Sequence, residues 1–350
     1  MALFRGIKVR LNLSYRGRQI LRRVLIVALV VAIIASLVGL GWFVWLRRFL
    51  VYTREHGAVI DMNLSAQVAE GEVAGDATQE TISIYYNEGE NAINTSKELT
   101  QMLGFYADEE ALKTNMSMVQ QQAKLVSRDT PVMLDVKDAK GRFFYSSGVS
   151  DQRSANMDIS AMDALIKELD NRGAYLIARL PALRDYHFGL TSTENGLFVS
   201  SGRYLWADDD YCYWLDPTKE GTVMYLVQIV TELKNLGFDE VVFDEFRFPD
   251  TEDLKFSGDR AEALNSAAKT LLSSCATERF AVSFVAGAEG FVLPQGRSRL
   301  YIKDATAADA ANIAAQSGVA DPAINLVFQT EFHDTRFNEY SVLRPIESAE

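Results

Sequence analysis

Residues 223 to 250, VMYLVQIVTELKNLGFDEVVFDEFRFPD, run from an amphipathic helix through a glycine into a short strand that is apolar on both faces. Val223, Leu226, Val227, Val230 and Leu233 fall at helical spacing, Gly237 stands where a helix closes in a left-handed residue, and Val241-Val242-Phe243 opens the strand. The same unit recurs upstream. Met162, Leu165, Ile166 and Leu169 form a stripe, Gly173 ends it, and AYLIARL follows as a strand. Less sharp copies are Leu112 to Val126 before VMLDV, Ala261 to Cys275 before FAVSFVA, and Ala305 to Gln316 before INLVF. Strands apolar on both faces belong in a parallel sheet covered by helices. Polar residues end the strands in turn: Asp135, Lys137 and Asp138, then Arg179, then Asp244 and Arg247, then Gln329 and Glu331. A ring of this kind is where a (β/α)8 barrel carries its site, and the chain has no GxGxxG or GxxxxGK[ST] turn to favour an open nucleotide-binding sheet. The expected fold is an α/β TIM-like barrel, incomplete or irregular at its C-terminus. No eighth strand stands out before Glu350, so the first strand is sought in residues 58 to 64 or 81 to 86.

A second feature sits upstream of that pattern. Between Arg23 and Arg47 lies VLIVALVVAIIASLVGLGWFVWL, interrupted only by Ser36, Gly39 and Gly41. At 1.5 Å per residue such a stretch spans roughly 35 Å as a helix, enough for a hydrocarbon core of about 30 Å. It exceeds the apolar region of a signal peptide and lacks a small-residue cleavage site, so a retained transmembrane helix is expected over 24 to 46. Arg5, Lys8, Arg10, Arg16, Arg18, Arg22 and Arg23 precede it, which keeps residues 1 to 23 as a cytoplasmic tail by the positive-inside rule. The reading therefore divides the chain into that tail, the span, a juxtamembrane and acidic spacer over 47 to 80, and an extracytoplasmic barrel over 81 to 350. The expected location is the cell membrane, single-pass.

Charge narrows the partners. The first 48 residues hold nine Lys and Arg and no acid, so the remainder has 26 basic against 47 acidic residues, a formal charge of −21. A domain this acidic repels phosphate backbones, which argues against nucleic acid. No HExxH or Cys/His cluster occurs, and His56, His187 and His333 are scattered. Neither a metal nor an organic cofactor is expected. No GxSxG elbow supports serine-triad chemistry. Cys212 and Cys275 are equally compatible with one disulfide and with two buried thiols.

VMLDVKDAKGRFFYSS (132 to 147), RGAYLIARLPALRD (172 to 185), YWLDP (213 to 217) and LGFDEVVFDEFRFP (236 to 249) resemble, in order and spacing, the putative glycosyl hydrolase domain family, a domain of unknown function. The Asp-x-Lys-Asp-x-x-Gly and Phe-Asp-x-x-Arg-Phe-Pro motifs carry the resemblance over about residues 100 to 250. It implies a glycosidase-like (β/α)8 barrel and a glycan ligand. Beyond residue 280 the likeness weakens. Val285 stands where the resemblance implies an acid, and the family's later motifs are absent or loose.

Hydrolysis of a glycosidic bond needs two carboxyl groups, one protonated and one ionised, facing the same bond. Asp244 ends a buried strand and matches the family's aspartate, so it is the expected nucleophile or base; the alternative is a structural pairing with Arg247 or Arg179. Glu331, after the 324 to 328 strand, is the expected acid, with Asp138 and Asp185 next in line. Asp135, Lys137, Asp138, Arg179, Arg184, Asp185, Trp214 and Arg247 are the expected substrate contacts, set against a polar network that merely braces the mouth. Glu245 points away from Asp244 in a regular strand and supports it from behind. Tyr204, Trp206, Tyr211, Tyr213 and Trp214 crowd one loop with Asp208, Asp209 and Asp210, either as a sugar platform or as a loop folded under its own aromatics. Two functions follow: a membrane-anchored hydrolase of an envelope or extracellular polysaccharide, or a barrel of the same ancestry that binds glycan or an envelope partner without turnover.

Overall fold

The computed structural model describes residues 50–53, 57–60, 98–331 and 333–346. The expected tail, the 24 to 46 span and most of the spacer lie outside them, and among the described residues no helix is long and apolar enough to cross a membrane. The chain forms two units, Met1–Asn87 and Glu88–Glu350. In the first, Leu50–Thr53 pairs antiparallel with Gly57–Ile60, Thr53 opposite Gly57.

The second unit is a closed barrel of eight parallel strands: β1 Leu103–Ala107, β2 Pro131–Asp135, β3 Tyr175–Pro181, β4 Glu240–Asp244, β5 Ala281–Val285, β6 Leu300–Ile302, β7 Leu326–Gln329 and β8 Ser341–Pro345. Neighbours in sequence are neighbours in the barrel, and β8 closes it by pairing with β7 (Ser341 opposite Val327) and β1 (Val342 opposite Leu103). The α/β barrel expectation holds. Two of its details do not. The first strand is LGFYA at 103–107, not a segment near 58 or 81, and the eighth strand exists at 341–345. Residues 57–60 are spoken for by their hairpin. Both missed strands are five residues long, and LGFYA contains a glycine that breaks its apolar pattern. That glycine is required: a Cβ on Gly104 would stand 2.2 Å from the carbonyl oxygen of Pro131 on β2.

Helices cover the barrel where the periodicity was strongest. Helix α3, Ile159–Arg172, starts at Asp158, whose carboxylate accepts the Ala161 N–H, and ends at Gly173 in the left-handed region. Its buried residues are the four of the predicted stripe. Helix α5, Glu220–Asn235, precedes β4 and α6, Arg260–Cys275, precedes β5. The run expected from 112 to 126 is instead two helices, α1 Glu109–Thr114 and α2 Met116–Ala123, broken at Asn115. A short helix α4, Tyr186–Thr191, follows β3, while α7 Ala310–Gln316 and α8 Pro322–Asn325 follow β6. No helix joins β5 to β6; Phe291 and Leu293 from that loop pack on the core instead. Cys212 and Cys275 are separate buried thiols.

The barrel interior is layered. Its middle layer is apolar apart from two tyrosine hydroxyls, with Tyr106, Met133, Ile177, Val242, Val285, Tyr301, Val327 and Leu343 all buried. Below it, toward the strand N-termini, Glu240 is fully buried and accepts hydrogen bonds from Tyr175 (2.8 Å), Ser283 (2.6 Å), Tyr301 (2.9 Å) and Arg299 (2.6 Å). A buried carboxylate survives only with such a full set of donors. Arg299 also reaches the Thr100 and Ile324 carbonyls, tying the segment before β1 to the far side of the barrel.

Candidate active site

Side chains two residues beyond the apolar layer point to the same interior at the strand C-termini, because alternation along a strand has period two. The polar ones are Asp108 after Tyr106, Asp135 after Met133, Arg179 after Ile177, Asp244 after Val242, Lys303 after Tyr301 and Gln329 after Val327. A cleft of about 200 Å³ opens at this end, lined by Asp135, Arg179, Arg184, Asp244, Glu245 and Glu109 among others. A larger hollow of about 560 Å³ lies at the opposite end beside Asp239, Arg128 and Arg279. The N-terminal face of a barrel serves stability rather than chemistry, so the smaller cleft is the candidate.

Two ion pairs span the mouth. Arg179 grips Asp135 with two nitrogens, Nε at 2.5 Å and Nη2 at 2.8 Å, and its third nitrogen donates to Gln329 at 2.9 Å. Burial works against the Arg179 charge, but Asp135, and more weakly Asp244 and Asp108, outweigh it and hold the guanidinium firmly protonated. Asp244 receives Lys303 Nζ on Oδ2 at 2.8 Å and the Glu245 N–H on Oδ1 at 2.8 Å. Both oxygens accept, as suits an anion and not a proton donor. Glu245 has φ of 48°, a left-handed conformation that a non-glycine residue adopts at a cost of about 1 kcal/mol or more. The strand has thus ended at Asp244, and the alternation expected of Glu245 no longer applies. Its carboxylate takes Arg247 Nε at 2.9 Å, and the Arg247 guanidinium lies 4.9 Å from the centre of the Trp214 ring.

Several expected sugar contacts are built into the scaffold instead. Lys137 and Asp185 face each other at 2.7 Å with both side chains wholly buried, and Asp185 also accepts from Tyr225 (2.9 Å) and from the Phe188 N–H (2.8 Å) at the start of α4. Lys137 still borders the cleft, but its ammonium is held by Asp185, and Asp185, enclosed by these donors, is unsuited as the alternative acid. Trp214 is 3% exposed, donates its indole N–H to Asp208 at 3.1 Å, and has a face covered by Arg247, so it offers a sugar no platform. Arg184 bridges Asp208 and Asp210, each at 2.6 Å. Burial alone would raise Asp208, but the hydrogen bonds from Arg184, Cys212 and Trp214 bring its carboxyl below the usual range. The acidic triplet is thereby a braced turn. Asp138 is chelated by Arg142 through Nη2 at 2.6 Å and Nε at 2.7 Å. Among the described residues no group of three or more His, Cys, Asp or Glu is set to hold a metal ion.

Glu331 follows β7 and is exposed, outside the lining of the cleft. Tyr106 faces it. Burial, then Glu331 and Asp108, push the Tyr106 hydroxyl up, while a hydrogen bond with Gln329 and the charge of Arg179 oppose the rise. Of the aromatic loop, Tyr204 and Tyr211 are exposed, whereas Tyr213 stacks on Tyr186 at 5.5 Å and Trp206 packs edge-on to Trp214. Lys303 was not foreseen. It directly follows a three-residue strand with no helix before it, so no periodic signal marks it.

A family model described as "Putative glycosyl hydrolase domain" matches residues 105–289. No functionally curated protein matches. Among solved structures, a hypothetical protein from Ruminiclostridium thermocellum is similar at 20% identity over 52% of this chain and 96% of its own, with a TM-score of 0.44. A GH20 exo β-N-acetylglucosaminidase from Vibrio harveyi is similar at 9% identity over 65% of this chain and 41% of its own, TM-score 0.46. A GH36 α-galactosidase from Geobacillus stearothermophilus is similar at 12% identity over 71% of this chain and 39% of its own, TM-score 0.46. The chain spans about two fifths of the length of these two glycosidases.

Proposed function

We propose, from the premise that the chain belongs to the putative glycosyl hydrolase domain family, that it is a membrane-anchored glycoside hydrolase acting on a cell-envelope or extracellular polysaccharide. The observation that carries this reading is Asp244: a carboxylate at the end of β4, opening on a polar cleft, with both oxygens held as acceptors. In that state it can attack an anomeric carbon or activate a water, the two tasks of the ionised partner. Glu331 is the proposed acid. Among the described residues it has no ion-pair partner, whereas Asp135, Asp138 and Glu245 are each tied to an arginine and Asp108, also unpaired, is spent on the Ala111 N–H at the start of α1. Arg179 lines the cleft and Arg247 stands beside it, each paired with a carboxylate that a sugar hydroxyl would have to share. Residues 24 to 46 are proposed to anchor the chain, with the barrel outside the membrane.

The pairing of the cleft carboxylates favours a second reading, a glycan-binding barrel without turnover. One experiment separates the two. The full chain in detergent is incubated with a panel of envelope polysaccharides, and reducing ends and retained binding are both measured. Release that stops in Asp244→Asn while binding persists supports hydrolysis. Binding with no release by the unaltered chain supports the second reading, and equal release by the variant removes Asp244 from the mechanism.

A further inference from the structure

Asp244 pairs in register with Pro181 of β3, with the Arg179 charge nearby, and lies on the other side beside Val285 of β5, the next residue after the Phe243–Phe284 pair. Val285 supplies no polar atom. Lys303 reaches past it from the end of β6, two residues beyond Tyr301, which pairs with Val285 in register. Its ammonium meets Asp244 Oδ2 at 2.8 Å, with the lysine side chain 37% and the aspartate side chain 18% exposed. The other charged groups around Asp244 are already committed: Arg179 to Asp135 and Gln329, and Arg247 to Glu245. Asp244 is the one hydrogen-bond partner of Lys303 among the described residues.

The backbone adds an independent sign. Four non-glycine residues among those described have positive φ, and two of them are Glu245 and Asp304, each immediately after a member of this pair. Left-handed conformations of this sort are tolerated where surrounding structure over-determines them, and they gather at functional sites. Here both strands are stopped by a reversal of the chain directly after the charged side chain, which sets each side chain at the rim of the mouth. We propose that Lys303 is the positioning residue of the site: its ammonium holds Oδ2 of Asp244 and so fixes the direction of the oxygen that would attack or take a proton. The proposal rests on the hydrolytic reading for its catalytic consequence, but the effect on the Asp244 carboxyl itself does not.

The test reads the Asp244 carboxyl carbon at pH 7 in the full chain labelled with 13C at aspartate side chains, assigning its signal by its loss in Asp244→Asn. In Lys303→Met that signal should move, because the ammonium that holds Oδ2 is gone. Lys303→Arg should return it most of the way. If turnover is observed, kcat should fall in Lys303→Met with KM changing less than about twofold. An unmoved Asp244 signal in a folded Lys303→Met chain overturns the proposal, and so does failure of Lys303→Arg to rescue. Absence of turnover in every form refutes the hydrolytic reading instead and leaves the carboxyl signal to decide the role of Lys303.

Discussion

Charge placement at single residues separates two populations of carboxylate in this barrel. Asp185, Asp208 and Glu240 are enclosed by donors and serve the scaffold, whereas Asp244 keeps an open side. Asp239 belongs to neither. It sits at the N-terminal end of the barrel, accepts the Leu176 N–H at 2.9 Å, and has its carboxyl pushed up to about 6 by burial, with Asp170 and Glu240 adding to the rise. Its unfolded value is roughly 4, so between about pH 4 and 6 the folded state binds the extra proton, and stability contributed by this group falls as pH rises through that window. Asp239→Asn keeps an oxygen for the Leu176 N–H and removes the titration. Chemical denaturation at pH 4.5 and 7.5 should therefore show the variant more stable than the parent at the higher pH by about 2 kcal/mol, with the difference shrinking toward the lower. A constant difference across the range would assign the pH dependence elsewhere.

At the scale of elements, the helices with a strong stripe and a cap are where the sequence suggests, because caps and periodicity are local properties. Helix α3 between Asp158 and Gly173 is the clearest case, and α5 before β4 the next. Strands β1, β6 and β8 were not legible. They have three to five residues, and their placement depends on partners far along the chain. Gly104 shows why β1 escapes a search for apolar runs: the residue is chosen for close approach to Pro131 of β2, not for burial of a side chain. Gly104→Ala should force those strands apart and cost about 2 kcal/mol, an overpacking penalty. The melting temperature should drop by roughly 4 to 8 °C, measured by calorimetry. A variant as stable as the parent would show that β1 and β2 can separate without penalty.

For the whole molecule the decisive event is closure. Strand β8 bonds to β1 across 239 positions of sequence, as the Ser341 hydroxyl accepting from the Met102 N–H illustrates. The middle layer of the interior then separates a polar floor around Glu240 from a polar mouth around Asp244. The basic, apolar N-terminal region is proposed to hold the barrel at a membrane surface. Alkaline carbonate washing of membranes from cells making the full chain should leave it in the pellet, since a spanning helix resists extraction that removes peripheral proteins. Its appearance in the wash would end the anchoring proposal.

Sequence by itself determined the α/β alternation, the positions of the best helices, the family, and Asp244 at a strand end, because each is written in contiguous residues. It also supplied most of the polar residues near the mouth. It did not determine which of them are free. That depends on pairings between distant segments: Lys137 with Asp185, Arg179 with Gln329 across 150 positions, Lys303 with Asp244 across 59. Only the closed barrel decides those pairings, because the neighbours that enclose a carboxylate or leave it facing the cleft are brought to it by tertiary structure.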